Sequence, residues 1–304
     1  MDEKKFLHAG KVKNVFEVSE KELEFEFSDR VSVFDKIIPS AIPFKGEVLC
    51  RTSAYWFEIC KNAGIKSHFI KTTAPNKMLV KRVTVERDYS KLGPSAKNYL
   101  IPLEVIVRYY AYGTLYDRIQ KGQVTAEQIG FPAGHEVKKA EELPEPFFEV
   151  TTKLEKNDTP LTYEEAMKMA GMTREEFNEL REACFKIDRE INSRVKQRGL
   201  IHVDGKKEFA FDENRELMVV DTFGTADEDR FWDLAEFEKG NYVEKSKEFV
   251  RKHYRDSGYH AALYAARKQG KPEPDIPPLP QEMIDKTSKT YVELFEQLTG
   301  EKFR

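Results

Sequence analysis

The segment Gly199–Trp232 constrains this chain most, because it reads as a strand, a turn and a second strand with acidic side chains at one end. Residues two apart in a strand lie on one face, so Lys206 and Glu208 should share a face. The polar turn Asp212–Arg215 reverses the chain, and an apolar run then leads into Asp221. We therefore expect a hairpin that brings Glu208 and Asp221 together at its open end, with Lys206 close by.

Two carboxylates and a lysine at one sheet edge suit Mg²⁺ bound to nucleotide phosphates. Mg²⁺ takes only one or two protein carboxylates, completed by phosphate oxygens and water, and a lysine offsets phosphate charge. The pattern thus predicts Glu208 and Asp221 as metal ligands. On this segment alone, a solvated acidic hairpin is an equally good interpretation, because charged turns are common.

Composition limits the classes of protein to consider. The chain has 304 residues, 40% of them hydrophobic, and a net charge of −3, which indicates a globular protein and argues against a nucleic-acid partner. No apolar stretch is long enough to cross a membrane, and the N-terminus lacks the apolar region of a signal peptide. The three cysteines are scattered, which fits a cytoplasmic protein without structural zinc.

Periodicity predicts a strand-rich first hundred residues followed by alternating helices and strands. Strand patterns lead to a helix over Leu49–Ala63, and Ser28–Gly46 and Gly122–Val150 read as loops. The long amphipathic helix Thr173–Arg198 suits either a core or a contact in a homo-oligomer. Further elements are predicted at Lys11–Val18, Leu23–Ser28, His68–Thr72, Met78–Arg82, Val83–Arg87, Leu103–Tyr109, Leu115–Lys121, Thr162–Lys168, Lys245–Tyr254, Tyr259–Lys268 and Gln281–Thr299.

Arg108 stands inside an otherwise apolar strand, where a charge is costly unless it is paired. Thr114 follows at the start of a helix, and Arg118 lies one turn further along. Helix N-termini bind phosphate through free N–H groups, and arginine adds a two-pronged contact. The pattern predicts a monophosphate site, and the alternative is a buried ion pair of Arg108 with a residue such as Glu104.

Other charged groups point to a small polyanionic ligand. Lys11 and Lys13 should share one face of the first hairpin, where they could hold triphosphate oxygens or simply be solvated. The remaining charged candidates are Lys153, Asp158, Asp227, Arg230, Lys247 and Arg251. So many anion-binding groups on a chain without a basic excess favour a small ligand over a polymer.

In order along the chain, GKVKNVFEV, VSVFDKIIPSAIPFKGEVL, LEVIVRYYAYGTLYDR, TTKLEKND, HVDGKKEFAFD, VVDTFGTADEDRFW and PPLPQEMIDKTSKTYVELFEQLTG resemble segments of the SAICAR synthetase family. The resemblance covers nearly the whole chain. It implies an α+β fold, with a β-rich ATP-binding lobe (residues 1–100) against a larger α/β domain with C-terminal helices (residues 101–304). It also implies ATP-dependent ligation of L-aspartate to the carboxylate of carboxyaminoimidazole ribotide through an acyl phosphate, with Mg²⁺.

The resemblance also implies roles for individual residues. Lys11 and Lys13 match phosphate-contacting lysines, and Glu208 and Asp221 match the acidic pair that handles Mg²⁺ and ATP. Lys206 matches the lysine at the reaction centre. Positions that match the ribotide and carboxylate contacts are Arg108, Thr114, Arg230, Lys247 and Arg251, and Lys153 and Asp158 match the loop near the substrate. Asp227 and Asp158 are alternative bases for the attacking amine.

The chain departs from the family pattern DEVLTPDSSR after Asp221. Thr222 removes a carboxylate, while Glu228 and Asp229 replace hydroxyl residues beside Arg230, where they would repel a dicarboxylic amine. Gly205, Lys207 and Ala210 also depart from the usual strand. The alternative function is therefore a paralogous ligase that uses another amine. A nucleotide-binding regulator without catalysis is less favoured, and a kinase is less favoured still, because no kinase catalytic-loop motif follows the β-rich lobe.

Overall fold

The computed structural model describes residues 4–245 and 247–304, which form two compact units. The first unit contains the chain up to Tyr55 together with Phe69–Arg82 and Glu244–Arg304, and the second contains Trp56–His68 and Val83–Val243. This division differs from the predicted boundary at residue 100, because the C-terminal segment belongs with the N-terminal strands. Across the described ranges, no helix has both the length and the hydropathy needed to span a membrane.

Strands and helices are numbered in chain order. The strands are β1 (Lys5–Ala9), β2 (Lys13–Ser19), β3 (Glu22–Phe27), β4 (Arg30–Val33), β5 (Lys36–Ala41), β6 (Phe69–Ala74), β7 (Lys77–Lys81), β8 (Tyr99–Leu100), β9 (Leu103–Tyr110), β10 (Glu142–Thr152), β11 (Pro160–Leu161), β12 (Leu200–Phe211), β13 (Leu217–Val220) and β14 (Asp229–Asp233). The helices are α1 (Lys45–Asn62), α2 (Gly113–Gln120), α3 (Tyr163–Ala170), α4 (Arg174–Lys196), α5 (Leu234–Phe237), α6 (Glu248–Asp256), α7 (Tyr259–Lys268) and α8 (Gln281–Thr299).

The first unit contains a five-stranded antiparallel sheet in the order β1-β2-β3-β7-β6. The segment predicted as a loop over Ser28–Gly46 instead forms the β4–β5 hairpin and the start of α1. Apolar side chains of this hairpin, such as Val31 and Val33, pack in one cluster with Val250 and Tyr254 of α6. This shared core explains why the C-terminal helices join the first unit.

The turn before β2 corrects one expectation about the lysines. Gly10 N–H donates to the Lys13 carbonyl at 2.7 Å, which closes a turn between β1 and β2. Lys11 lies in this turn and only Lys13 lies in the strand. Strand alternation therefore does not place Lys11 and Lys13 on one face, because alternation holds only within regular extended backbone.

In the second unit, β12 is the central strand of a sheet ordered β11-β10-β9-β12-β13, and it also pairs with β8 and β14. The predicted hairpin is confirmed, with Glu208 of β12 opposite Val220 of β13. The predicted apolar face of α4 is buried throughout. Two expectations were wrong: β10 occupies the end of the predicted loop Gly122–Val150, and Val83–Arg87 forms only an isolated bridge at Thr84.

Arg215, in the β12–β13 turn, ties four segments of the second unit together. Its guanidinium donates to both Glu176 carboxylate oxygens at 2.6 and 2.9 Å. It also donates to the carbonyls of Gly93, Ala96 and Gly171 at 2.9, 2.5 and 2.9 Å. With a side chain that is 11% exposed, it holds the hairpin turn against the start of α4.

We expect Arg215→Ala to lower the free energy of unfolding by about 3–5 kcal/mol, because it removes one partner of a largely buried ion pair and also takes a donor from three backbone carbonyls. Urea unfolding followed by circular dichroism measures this. Arg174→Ala is the control, since Arg174 is exposed and lies 4.0 Å from Glu164; it should change stability by less than about 1 kcal/mol. Equal unfolding midpoints for the two variants would contradict the role of Arg215.

Candidate active site

The open end of the β12–β13 hairpin carries a cluster of six charged side chains. Lys206 and Glu208 share a face of β12, as predicted, with Lys206 Nζ 3.7 Å from Glu208 Oε1. Lys153, which follows β10, reaches the same Glu208 oxygen at 2.5 Å. Asp221 follows β13, and its charge acts on both Glu208 and Lys153. Lys206 Nζ also lies 2.9 Å from Glu104 and 3.1 Å from a further carboxylate, that of Glu228.

The electrostatics of this cluster are set by burial and by an excess of acid. Burial, followed by the nearby charge of Asp221, raises the pKa of Glu208. Burial alone would lower the pKa of Lys206, but the carboxylates of Glu228, Glu208 and Glu104 outweigh it and hold that pKa well above its usual value. The cluster therefore keeps its lysines charged, and two lysines face four carboxylates.

Asp221 has a backbone conformation that most side chains avoid. Its φ is 61°, in the left-handed region, where only glycine, asparagine and aspartate are common among residues. The chain leaves the regular strand at this residue, because β13 ends at Val220. A strained backbone at a carboxylate with a charged cluster around it is typical of a functional position.

A second cluster surrounds Arg108 at the start of α2. Arg108 Nε donates to Glu149 Oε1 at 2.7 Å, and its terminal nitrogens contact Asp204 at 3.4 Å and Thr114 Oγ1 at 3.2 Å. Arg118 donates to the other Glu149 oxygen at 2.6 Å, and Arg230 donates to Asp204. The predicted trio Arg108, Thr114 and Arg118 is thus brought together.

This second cluster is rich in cationic groups. Three guanidinium groups, those of Arg108, Arg118 and Arg230, contact two carboxylates beside the N-terminus of α2. Burial raises the pKa of Glu149, but Arg108 and Arg118 outweigh burial and lower it overall. The ion pair suggested for Arg108 with Glu104 does not form, since Glu104 lies against Lys206 instead. The arrangement can accept an anion such as a phosphate at the helix start.

Gly113 gives Arg230 the space to reach this cluster. A Cβ on Gly113 would lie 2.9 to 3.0 Å from the Arg230 guanidinium, and φ at Gly113 is +57°. The left-handed backbone therefore favours glycine here, and a larger residue would have to displace the end of the Arg230 side chain.

We expect Gly113→Ala to displace Arg230 and raise the KM for a phosphate-bearing substrate roughly tenfold, in addition to a backbone strain of about 1–2 kcal/mol. Gly122→Ala is a matched control, because φ there is +68° and nothing lies within 4 Å of the added Cβ. Steady-state kinetics and thermal unfolding separate the two effects. If both variants had the same KM, the contact with Arg230 would have no role in binding.

The other predicted residues lie at different places. Asp227 is in the turn between Asp221 and β14, where its N–H donates to Thr225 Oγ1 at 3.3 Å. Asp158 is exposed in the loop between β10 and β11.

The four remaining predicted site residues lie in the first unit. Lys11 pairs with Asp35, Lys13 lies over the Phe25 ring, Lys247 is buried just before α6, and Arg251 donates to Glu248.

The acidic departures at Glu228 and Asp229 do not form the repulsive pair that the sequence suggested. Glu228 pairs with Lys206 at 3.1 Å. Asp229 is 2% exposed and turns inward, where its Oδ2 lies 2.8 Å from His202 Nε2. Gly205 permits this contact, because a Cβ there would lie 2.1 Å from Asp229 Oδ2.

Asp188, His202 and Asp229 offer three metal-ligand atoms within 4.8 Å of one another. A cation is already present among them, since Lys207 Nζ lies 2.5 Å from Asp188 and 3.9 Å from Asp229. Lys207 is fully buried with its pKa raised: burial opposes its charge, and the two aspartates more than compensate. This group is therefore a buried ion-pair network and a poor metal site.

Sequence reasoning missed Glu149 and Asp204, the two carboxylates around the arginine cluster. Glu149 lies in β10, a strand whose Pro144 and Pro146 are more typical of a loop. The pairing of β10 with β9 is also irregular between Glu142 and Phe147. Asp204 could have been predicted from Arg108, because burying an arginine is costly unless an acidic side chain on a neighbouring strand pairs with it.

A protein-family model, curated relatives and solved structures that resemble this chain all carry the name of one enzyme family. The family model described as SAICAR synthetase matches residues 6–265. Phosphoribosylaminoimidazole-succinocarboxamide synthases of Thermoplasma volcanium and Thermoplasma acidophilum are 52% and 50% identical, each over 98% of this chain and all of the relative. The solved SAICAR synthase of Saccharomyces cerevisiae, in complex with SAICAR, has a TM-score of 0.77 at 25% identity and covers 98% of this chain and 95% of its own. The predicted α+β fold is confirmed.

Proposed function

We propose the function from one premise: the chain belongs to the SAICAR synthetase family. On this premise it joins L-aspartate to the carboxylate of carboxyaminoimidazole ribotide at the expense of ATP and forms SAICAR, ADP and phosphate, a step of purine biosynthesis. The reaction takes place between small molecules, and we place it in a reducing cytoplasm because all three cysteines are free and buried.

The observation that carries this proposal is the acidic excess at the hairpin end. Two lysines face the four carboxylates of Glu104, Glu208, Asp221 and Glu228 there, in a largely buried place. One divalent cation would balance that excess and relieve the repulsion between Glu208 and Asp221. Glu208 and Asp221 fit as the ligands of Mg²⁺, which when bound would neutralise the phosphate oxygens of ATP.

The second cluster supports binding of the ribotide phosphate. Its three guanidinium groups lie beside the first N–H groups of α2, which has no side-chain cap at Tyr112. Arg118 and Arg230, both partly exposed, would contact the phosphate, while Arg108 holds Glu149 and Asp204 in place. Lys11, Lys13, Lys247 and Arg251 remain candidates for ATP or substrate contacts.

The mechanism needs positioning and charge neutralisation rather than a protein nucleophile. A carboxylate oxygen of the ribotide attacks the terminal phosphorus of ATP, and ADP leaves with the electron pair of the broken P–O bond. The amine of aspartate then attacks the acyl carbon, phosphate departs with the carboxylate oxygen, and an amide remains. Lys206 and Lys153 hold charge near the transferred group. Asp227, on the same turn as Asp221, is the better placed base for the amine proton than exposed Asp158.

The alternative, a paralogous ligase with a different amine, is not favoured. That alternative was based on repulsion between an incoming dicarboxylic amine and the acidic residues Glu228 and Asp229. Glu228 instead pairs with Lys206 and Asp229 with His202, which weakens the argument for a different amine. The relatives with 50% and 52% identity also carry the same name.

Phosphate release with ATP, Mg²⁺ and the ribotide tests the function when each of several amines is supplied in turn. We expect release that depends on L-aspartate and yields the succinocarboxamide product in equal amount. L-glutamate and ammonium ions should give rates at least about tenfold lower, because a site built for one dicarboxylate loses contacts with the others. Release with another amine and none with aspartate would support the paralogous ligase.

A further inference from the structure

The turn that joins β13 to β14 holds Asp221, Asp227 and Glu228, and it has no regular secondary structure of its own. It is nevertheless largely buried, with Phe223 and Thr225 at 0% and 1% exposure. Side chains from neighbouring elements must therefore set its conformation. This turn supplies two of the four carboxylates in the lysine cluster, so its conformation sets their position.

Both backbone polar groups of Gly224, its N–H and its carbonyl, are hydrogen-bonded to side chains. Its N–H donates to Asp229 Oδ1 at 2.8 Å, and its carbonyl accepts from Trp56 Nε1 at 2.9 Å. Its φ is +66°, and a Cβ there would lie 2.5 Å from Trp56 Nε1. These two bonds make Gly224 the fixed point of the turn, three residues after Asp221 and four before Glu228.

Asp229 can hold Gly224 because its own position is fixed. Its second oxygen lies 2.8 Å from His202 Nε2 and 3.9 Å from Lys207 Nζ. His202 and Lys207 both belong to β12, the strand that also carries Lys206 and Glu208. Strand alternation turns Lys207 inward to Asp229 while Lys206 and Glu208 face the charged cluster.

We propose that Asp229 is a positioning residue that fixes the Asp221–Glu228 turn through Gly224, so that Asp221 and Glu228 meet Glu208 and Lys206 in the geometry needed for phosphoryl transfer. The inference rests on the proposed role of Asp221 and Glu208 in holding Mg²⁺. Asp229 itself is fully enclosed by protein and touches no substrate. Asp188, which pairs with Lys207 from α4, supports the network and has no bond to the turn in the structure described.

Asp229→Asn and Asp188→Asn form a matched pair of test variants. Each removes one buried charge beside Lys207, so both should lower the melting temperature. Only Asp229→Asn weakens the hold on Gly224, and we expect it to reduce kcat roughly 10- to 100-fold and to raise the Mg²⁺ concentration at half-maximal rate. The folded Asp188→Asn protein should keep kcat within about twofold.

A structural readout separates this inference from the proposed function. The chain contains two tryptophans, so the full-length protein labelled with 5-fluorotryptophan should give two ¹⁹F resonances. The Trp56 resonance, assigned with Trp56→Phe, should shift in Asp229→Asn and stay in place in Asp188→Asn. This readout needs no turnover, so it tests the turn even if the wild-type protein proved inactive with aspartate.

An unshifted Trp56 resonance with normal kcat in Asp229→Asn would overturn the proposal, and so would equal kcat losses in the two variants. If Asp229→Asn does not fold, Trp56→Phe tests the same fixed point from the other side. It removes the donor to the Gly224 carbonyl and should reproduce the loss of kcat and the higher Mg²⁺ requirement. A folded Trp56→Phe with normal values for both would contradict the proposal.

Discussion

Asp221→Asn should reduce turnover by about 10²–10³-fold while leaving the fold intact, because it removes one of the two carboxylates proposed to hold Mg²⁺. Asparagine suits the test well. It matches aspartate in size and tolerates the left-handed backbone, so φ of 61° at this position adds little strain. Burial is the larger cause of the raised pKa of Glu208, and this variant removes the second cause, the negative charge of Asp221. Phosphate release at saturating ATP, with the melting temperature measured in parallel, checks the expectation.

Two controls accompany this variant. Glu213→Gln removes an exposed carboxylate from the β12–β13 turn, at the opposite end of the hairpin, and should leave turnover unchanged. Asp221→Ala should lose turnover as Asp221→Asn does and should also lose about 1–2 kcal/mol of stability from the positive φ. Normal rates for Asp221→Asn across a range of Mg²⁺ concentrations would remove Asp221 from the metal site.

Arg108→Ala should lower the free energy of unfolding by about 3–5 kcal/mol and also raise the ribotide KM. The side chain is 6% exposed, and its loss leaves the buried carboxylates Glu149 and Asp204 with fewer positive partners. The freed carboxylates would then draw Arg118 and Arg230 away from an incoming phosphate. Urea unfolding and kinetics below the unfolding transition measure the two effects.

Arg118→Ala separates binding from folding in this cluster. Its side chain is 25% exposed, and Glu149 keeps Arg108 as a partner when Arg118 is removed. We expect the ribotide KM to rise roughly tenfold to a hundredfold, with a much smaller loss of stability than in Arg108→Ala. If Arg118→Ala left KM unchanged and Arg108→Ala only destabilised the protein, the cluster would be structural.

Local sequence patterns predicted that Glu208 and Asp221 lie together, and they predicted less of the groups around this pair. The side-chain period of a strand and a short polar turn were enough to bring Glu208 and Asp221 together, because both are local features. The amphipathic period of α4 identified its buried face for the same reason. The pairing of Lys206 with Glu104, 102 residues away, depends on which strands become neighbours, and no local pattern determines that.

Other elements carried local signals that pointed the wrong way. Asp204-Gly205 is a dipeptide common in turns, yet it lies within the twelve residues of β12, next to an irregular pairing with β14. The structural reason for glycine at position 205 is its close contact with the Asp229 carboxylate, which the sequence does not reveal. The division into units was also missed, because the β4–β5 hairpin and α6 share a core that no sequence pattern links.

Transfer of ¹⁸O from the ribotide carboxylate to phosphate tests the central claim most directly. The ribotide would carry ¹⁸O in its carboxylate, and the released phosphate would be analysed by mass spectrometry after turnover with ATP, Mg²⁺ and L-aspartate. Activation through an acyl phosphate predicts one ¹⁸O atom in each phosphate released and one fewer in the amide product. Unlabelled phosphate would mean that water cleaves ATP without activating the carboxylate, and the ligase assignment would fail.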